Sequence, residues 1–213
     1  WRDFFNTDNN INSQIFTSRQ TPSDSNVYII DCLFNGCISS GNGGALYCST
    51  PVAYLLIESS SFLSCKTSGS NGGAICFNNT NNGQSVFHKV CGNNCCSTCT
   101  SGSNGLFSYI AVNNGASSKN YVNYSSISRC VNEKSESFFT LGLKYGKICC
   151  PSVNISMNKC YRFSGICYAL FGDLNNITCS STYSSIVDNI ASDIRCKIRN
   201  QELQNPQEHT GFS

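Results

Sequence analysis

The chain reads as an all-β protein, a single-domain, right-handed parallel β-helix with turns of about 30 residues, stapled by disulfides. Three observations lead there. A Gly-Gly-Ala tag occurs twice, 29 residues apart, as Gly43-Gly44-Ala45-Leu46 and Gly72-Gly73-Ala74-Ile75. Each tag follows an apolar-x-x-Cys step, Phe34-Asn35-Gly36-Cys37 and then Phe62-Leu63-Ser64-Cys65. The step returns without its tag as Ile127-Ser128-Arg129-Cys130 and Met157-Asn158-Lys159-Cys160. Short β-branched or aromatic runs, bounded by Ser, Asn and Gly, recur between these marks, and a unit of this size made of strands fits one turn of a β-helix.

The elements follow in order. Residues 1–26 are polar with scattered Phe4, Phe5, Ile11, Ile15 and Phe16, and read as an N-terminal cap or irregular first turn that protects the end of the stack. Residues 27–196 form the β-helix, with strands expected at Val27-Tyr28-Ile29-Ile30, Tyr54-Leu55-Leu56-Ile57, Tyr121-Val122-Asn123-Tyr124 and Val153-Asn154-Ile155-Ser156. Phe34, Phe62, Ile127, Met157 and Ile186 are expected to stack in one interior column. The paired glycines let the backbone turn a corner at positive φ and let adjacent turns approach closely, with Ala45 and Ala74 pointing inward. Four cysteines crowd into residues 91–99, which read as a stapled loop or irregular turn. Ser184 to Lys197 is the one stretch with a helical stripe. Residues 197–213 read as a C-terminal tail or linker. About seven turns at ~4.8 Å each make a rod roughly 30–35 Å long.

Sixteen cysteines is a high count. Cys96-Ser97-Thr98-Cys99 is a C-x-x-C pair, but Cys149-Cys150 is adjacent rather than spaced, so no structural zinc site, no other metal and no cofactor is expected. An even count in a low-charge chain points instead to an oxidising compartment. The disulfide candidates are Cys32, Cys37, Cys48, Cys65, Cys76, Cys91, Cys95, Cys96, Cys99, Cys130, Cys149, Cys150, Cys160, Cys167, Cys179 and Cys196. Stacked turns bring same-column cysteines to bridging distance. Cys37 and Cys65 have a second reading, as inward thiols that simply pack.

Net charge is +2 with 12% charged residues, which argues against a nucleic-acid or polybasic membrane partner. The longest apolar run, Val52 to Ile57, is too short to span a bilayer, so no membrane insertion is expected in this segment. An opening of Trp1-Arg2-Asp3 reads as a mature portion of something longer. Sequons at Asn78, Asn123, Asn154 and Asn176 are candidate N-glycosylation sites; Asn78 falls in a polar stretch read as loop, and Asn123 and Asn154 read as outward-facing strand positions.

The tags at 43–46 and 72–75, with Phe34 and Phe62 before them, resemble the GGA[I/L/V] and FxxN repeats of polymorphic outer membrane proteins, in the style of the cysteine-rich trichomonad versions. The FxxN element maps to Phe34 with Cys37 and Phe62 with Cys65, so cysteine replaces asparagine. The resemblance covers about residues 27–78 and implies a β-helix displayed at the cell surface and used in adhesion.

Function reads accordingly as non-enzymatic. The expected role is extracellular or cell-surface adhesion to a protein or glycan of a host or neighbouring cell, through an outer polar face. The alternative is a structural subunit that stacks into a homo-oligomeric filament or coat. A polysaccharide lyase or hydrolase needs clustered acids, whereas the twelve here are spread from Asp3 to Glu208. Asp31 and Glu58, one period apart, read as a solvated outer face, and His88 and His209 are the only histidines.

Overall fold

The structure, a computed structural model, describes residues 10–99, 102–131, 138–161, 163–169 and 179–191. Among them every regular element is a strand, and every strand pairing is parallel. The chain is a β-solenoid of about five turns, each of about 30 residues. Sheet 1 stacks Asn10–Asn12, Asn26–Ile30, Tyr54–Glu58, Gln84–His88, Lys119–Asn123, Lys147–Cys149 and Cys179–Ser180. Sheet 2 stacks Ile15–Phe16, Leu33–Asn35, Ser61–Leu63, Cys91–Asn93, Ser126–Ser128, Asn154–Ser156 and Ser185–Val187. Sheet 3 stacks Leu46–Ser49, Ile75–Asn78, Ser108–Ala111, Phe139–Lys144 and Phe163–Ala169. Two ribbons, Ile38–Ser39 with Lys66–Thr67 and Cys96–Ser97, and Lys159–Cys160 with Ile190–Ala191, carry the chain from sheet 2 toward sheet 3.

Five full turns replace the seven expected, because the first and last described levels add strands to sheets 1 and 2 but not to sheet 3. The stack begins at Asn10, inside the segment read as cap, and the described part of Ser184–Lys197 is two short strands rather than a helix. The tail from 197 onward lies outside the described residues.

Two corners explain how so polar a sequence holds this shape. Between sheets 1 and 2 every turn places one residue at positive φ: Ser13, Asp31, Ser59, Lys89, Tyr124, Ser152 and Tyr183. Beyond sheet 2 the same happens at Gly36, Ser64, Asn94, Arg129, Met157 and Asp188. This conformation is costly for a side chain other than glycine. It is held because the corner amide continues the inter-turn ladder, as in Ser59 N–H to the His88 carbonyl (2.9 Å) and Ser64 N–H to the Asn93 carbonyl (2.9 Å). At the third corner, Gly43, Gly72 and Gly105 take positive φ. A β-carbon on Gly44 or Gly73 would overlap backbone of the neighbouring turn, which is what the second glycine of each tag prevents. Ala45 and Ala74 are fully buried beside them.

The interior column on sheet 2 runs Phe16, Phe34, Phe62, Gly92, Ile127, Ile155 and Ile186 in register. Phe34 and Phe62 stack with ring centroids 4.6 Å apart and planes 3° from parallel. Met157 is not in the column. It stands at a positive-φ corner (φ 56°), 44% exposed, and Ile155 takes the interior place. The apolar-x-x-Cys match at Met157 was a slip of two residues, since the in-register copy is Ile155-Ser156-Met157-Asn158.

Residues 91–99 are regular too, with Cys91–Asn93 and Cys96–Ser97 as in-register strands. What hid this turn is Gly92, which stands where the turns on either side have Phe62 and Ile127. Phe107 fills the gap from sheet 3. It occupies the position held by Ala45 and Ala74 in earlier turns, and its ring meets Phe62 edge-on at 6.0 Å. A β-carbon on Gly92 would run into the Phe107 ring. The large residue has changed sides of the coil at constant interior volume.

Two expected outcomes follow. Phe107→Ala should cost about 3–5 kcal/mol and Gly92→Phe should also destabilise, while the double variant recovers part of the loss. A cycle of urea midpoints on the four proteins measures this, and strict additivity would refute the exchange. At the corner, Arg129→Gly should hold or raise the midpoint, and Arg129→Val should lower it.

Candidate functional site

Immediately past the column, each turn places one thiol or amide side chain, and five of the six tie their level to the one before. Cys37, Cys65, Cys95, Cys130, Asn158 and Asn189 occupy this place. The Cys37 thiol donates to the Phe16 carbonyl (3.4 Å), Cys65 to Phe34 (3.5 Å) and Cys95 to Phe62 (3.3 Å). Asn158 Nδ2 donates to Ile127 (3.2 Å) and Asn189 Nδ2 to Ile155 (2.7 Å). Asn158 also accepts from the Cys130 amide at 2.8 Å. Cys37, Cys65, Cys95, Asn158 and Asn189 thus share one task, donation to a carbonyl one turn away, whereas the Cys130 thiol donates to the Ser128 carbonyl of its own turn (3.6 Å). Asparagine does it in the looser C-terminal turns because it also offers an acceptor.

Cys32, Cys37, Cys48, Cys65, Cys76, Cys91, Cys95, Cys96, Cys130 and Cys149 carry free thiols, and no disulfide joins two described cysteines. The expected staples are therefore not present among them. Turn-to-turn hydrogen bonding and burial hold the column instead, and Cys37 and Cys65 pack inward with no exposed surface. Cys99 is half-buried, and Cys150 and Cys160 are buried. Cys196 and the side chains of Cys167 and Cys179 lie outside the description. Burial pushes the Cys37 and Cys130 thiols up to about 12, and Cys95 upward as well. Cys65 goes the other way, lowered chiefly by its hydrogen bond with the Cys95 thiol against the opposing effect of burial. Cys91 is the exposed one, on the outer face of sheet 2.

The outer faces differ in chemistry. Sheet 2 presents in-register rows of Ser61, Cys91, Ser126, Asn154 and Ser185, and of Asn35, Leu63, Asn93, Ser128 and the nearly buried Ser156, with Ile15 and Leu33 heading the first row and exposed Val187 closing the second. Neither row carries a formal charge, and Asn93 Nδ2 donates to Ser128 Oγ across the turn at 2.9 Å. On sheet 1 the side away from the main core holds a second, buried apolar cluster of Tyr28, Leu56 and Val86, with Ile30, Tyr54 and Tyr121 packed against it. Beside it the Tyr28 hydroxyl donates to Glu58 Oε2 at 2.8 Å, and His88 meets Tyr124 edge-on. Burial holds His88 below the usual imidazole value, against the opposite pull of Glu58. Asp31 is exposed at the adjoining corner. Among the described residues no three of His, Cys, Asp and Glu converge as a metal site would require. No described helix is long and apolar enough to cross a membrane.

The sequons separate by environment. Asn154 is exposed on sheet 2, and Asn78 is exposed as the last residue of a strand rather than in a loop. Asn123 is only 7% exposed, and its sequon partner Ser125 is buried at the corner, accepting from the Val90 amide at 3.1 Å. By register it shares the outward row of Glu58 and His88 on sheet 1, but it is almost wholly covered there. Asn176 lies outside the described residues.

Compared with known proteins, the chain matches no family model, and no curated protein or solved structure is similar to it.

The thiol environment sets a pH dependence. Folded Cys37, Cys76 and Cys130 keep their protons to about pH 12, whereas the unfolded chain releases them above about pH 9. Stability contributed by these thiols should therefore be level below pH 8 and fall as pH rises from about 9 toward 12. Urea midpoints across that range, with Cys130→Ser flattening the slope, check it. Under native conditions at pH 8 a thiol reagent should label Cys91 first and leave Cys37, Cys95 and Cys130 protected until unfolding.

Proposed function

We propose that this chain is a non-enzymatic β-solenoid of the extracellular space or cell surface that adheres to a protein or glycan on a host or neighbouring cell. The observation that carries the reading is the outer face of sheet 2. Its serine and asparagine side chains repeat in register over successive turns without a formal charge, an array of donors and acceptors suited to a polar partner. The kinship with polymorphic outer membrane protein repeats belongs to the same proposal. Asn158 and Asn189 support it, since both stand three residues after a column isoleucine, where the FxxN pattern has its asparagine.

Two experiments test this. The chain coupled to fluorescent beads should bind cultured epithelial cells, and Ser126→Lys with Asn154→Lys should reduce capture by about tenfold or more by placing desolvated charge in the contact. Capture that is absent in the unmodified chain, or equal in the variant, refutes adhesion through this face. Secretion through a eukaryotic pathway should leave Asn78 and Asn154 glycosylated and Asn123 bare, read by peptide mass after enzymatic deglycosylation.

A further inference from the structure

Sheet 3 carries a different outer surface, which the adhesive reading of sheet 2 does not use. Its outward row is Tyr47, Cys76, Tyr109 and Gly142, in register on four successive turns. Tyr47 and Tyr109 are partly exposed, while Cys76 between them is 1% exposed. At the fourth turn a register shift lets the Phe139 ring lie over Gly142, so the aromatic stripe continues where the row has no side chain.

A cation stands at each end. The Arg19 guanidinium lies 5.6 Å from the centre of the Tyr47 ring and is anchored by donation to the Asn42 carbonyl at 3.1 Å. Lys144 Nζ lies 4.8 Å from the centre of the Tyr145 ring, and hydrogen bonding with Tyr145, and to a lesser extent with Tyr109, holds its ammonium above the usual lysine value. The described carboxylates are Asp24, Asp31, Glu58 and Asp188; they lie in the connection leading to sheet 1, on sheet 1, or at the corners of sheet 2, and none is carried by sheet 3. The stripe is thus aromatic along its length and positive at its ends.

We infer that this face binds an extended, β-linked acidic polysaccharide with one carboxylate per disaccharide, its sugars lying on Tyr47, Tyr109 and Phe139. The spacing of the solenoid supports that class of ligand. Tyr47 and Tyr109 are two turns apart, about 9.6 Å at the inter-strand repeat, close to the length of one disaccharide in such a chain. The backbones of Arg19 and Lys144 are four levels apart, but their heads lean inward, the guanidinium over Tyr47 and the ammonium toward Tyr109, so the two charges stand about two turns apart, roughly 9.6 Å, and meet the carboxylates of successive disaccharides. Aromatic faces take the apolar faces of sugar rings, and the two cations take the carboxylates. An acidic peptide would match the charge but would leave three aligned rings without planar partners.

The test uses the intact chain with hyaluronan octasaccharide, and chitohexaose and poly-glutamate as controls, by titration calorimetry in 50 mM and 300 mM salt. Hyaluronan should bind saturably and weaken with salt, and both controls should bind at least about tenfold more weakly. Tyr47→Ala, Tyr109→Ala and the pair Arg19→Gln with Lys144→Gln should each lower affinity about tenfold or more, with urea midpoints confirming that the variants fold. Should a tyrosine variant fail to fold, the surface pair Arg19→Gln and Lys144→Gln decides the question. No hyaluronan binding, equal binding of poly-glutamate, or variants within about twofold of the parent overturns the assignment. Because Ser126→Lys with Asn154→Lys leaves this face intact, it should not alter hyaluronan affinity, so failure here is separable from failure of adhesion through sheet 2.

Discussion

Everything in this fold rests on each turn presenting the same backbone amides and carbonyls to the turn above it. In most β-proteins the ladder stops at the end of a strand. Here it runs on through the corners, because thirteen of the described non-glycine residues adopt positive φ and most of them sit where the corner amide still reaches a carbonyl on the next level. The strain of those conformations is offset by hydrogen bonds that a looser corner would leave unmade. The result is a continuous wall of sheets 1 and 2, joined at those corners, that fixes what can stand inside and what can face out.

Interior composition is free to vary once register is fixed. A column position passes from phenylalanine to glycine to isoleucine, and the loss at Gly92 is met by Phe107 entering from the opposite sheet. The next position passes from cysteine to asparagine, and Cys37, Cys65, Cys95, Asn158 and Asn189 all hold a hydrogen bond to the turn before. Such exchanges conserve volume and donor count rather than identity, as close-packed interiors require. They also explain why sixteen cysteines need not imply a disulfide framework. A buried thiol that donates to a carbonyl is a small apolar side chain with one useful polar edge.

The same register organises the exterior. Side chains of one type line up every ~4.8 Å, so each outer face is a one-dimensional array with its own chemistry. Sheet 2 is polar and uncharged over its middle turns, sheet 1 packs a buried apolar row of Tyr28, Leu56 and Val86, and sheet 3 is aromatic with cations at its ends. Recognition by such a surface depends on matching a repeat rather than on filling a pocket.

The amino-acid sequence by itself determined the solenoid, because the Gly-Gly-Ala tags and the Phe-x-x-Cys steps each report a constraint that recurs at every turn and does not depend on distant residues. It also marked Phe34, Phe62, Ile127 and Ile186, whose aromatic or branched side chains have few other places to go. Only the tertiary structure decided the rest. Ile155 rather than Met157 joins the column, since a two-residue slip is invisible until the corner fixes which residue turns outward. Gly92 keeps its place through Phe107, fifteen residues later in the chain and on another sheet. Asn123 is closed and Asn154 open, though both alternate with apolar neighbours and stand on outward rows, because packing on sheet 1 covers the first while sheet 2 leaves the second in solvent. The aromatic stripe of Tyr47, Tyr109 and Phe139 is likewise no motif in the chain; three turns of winding bring it together.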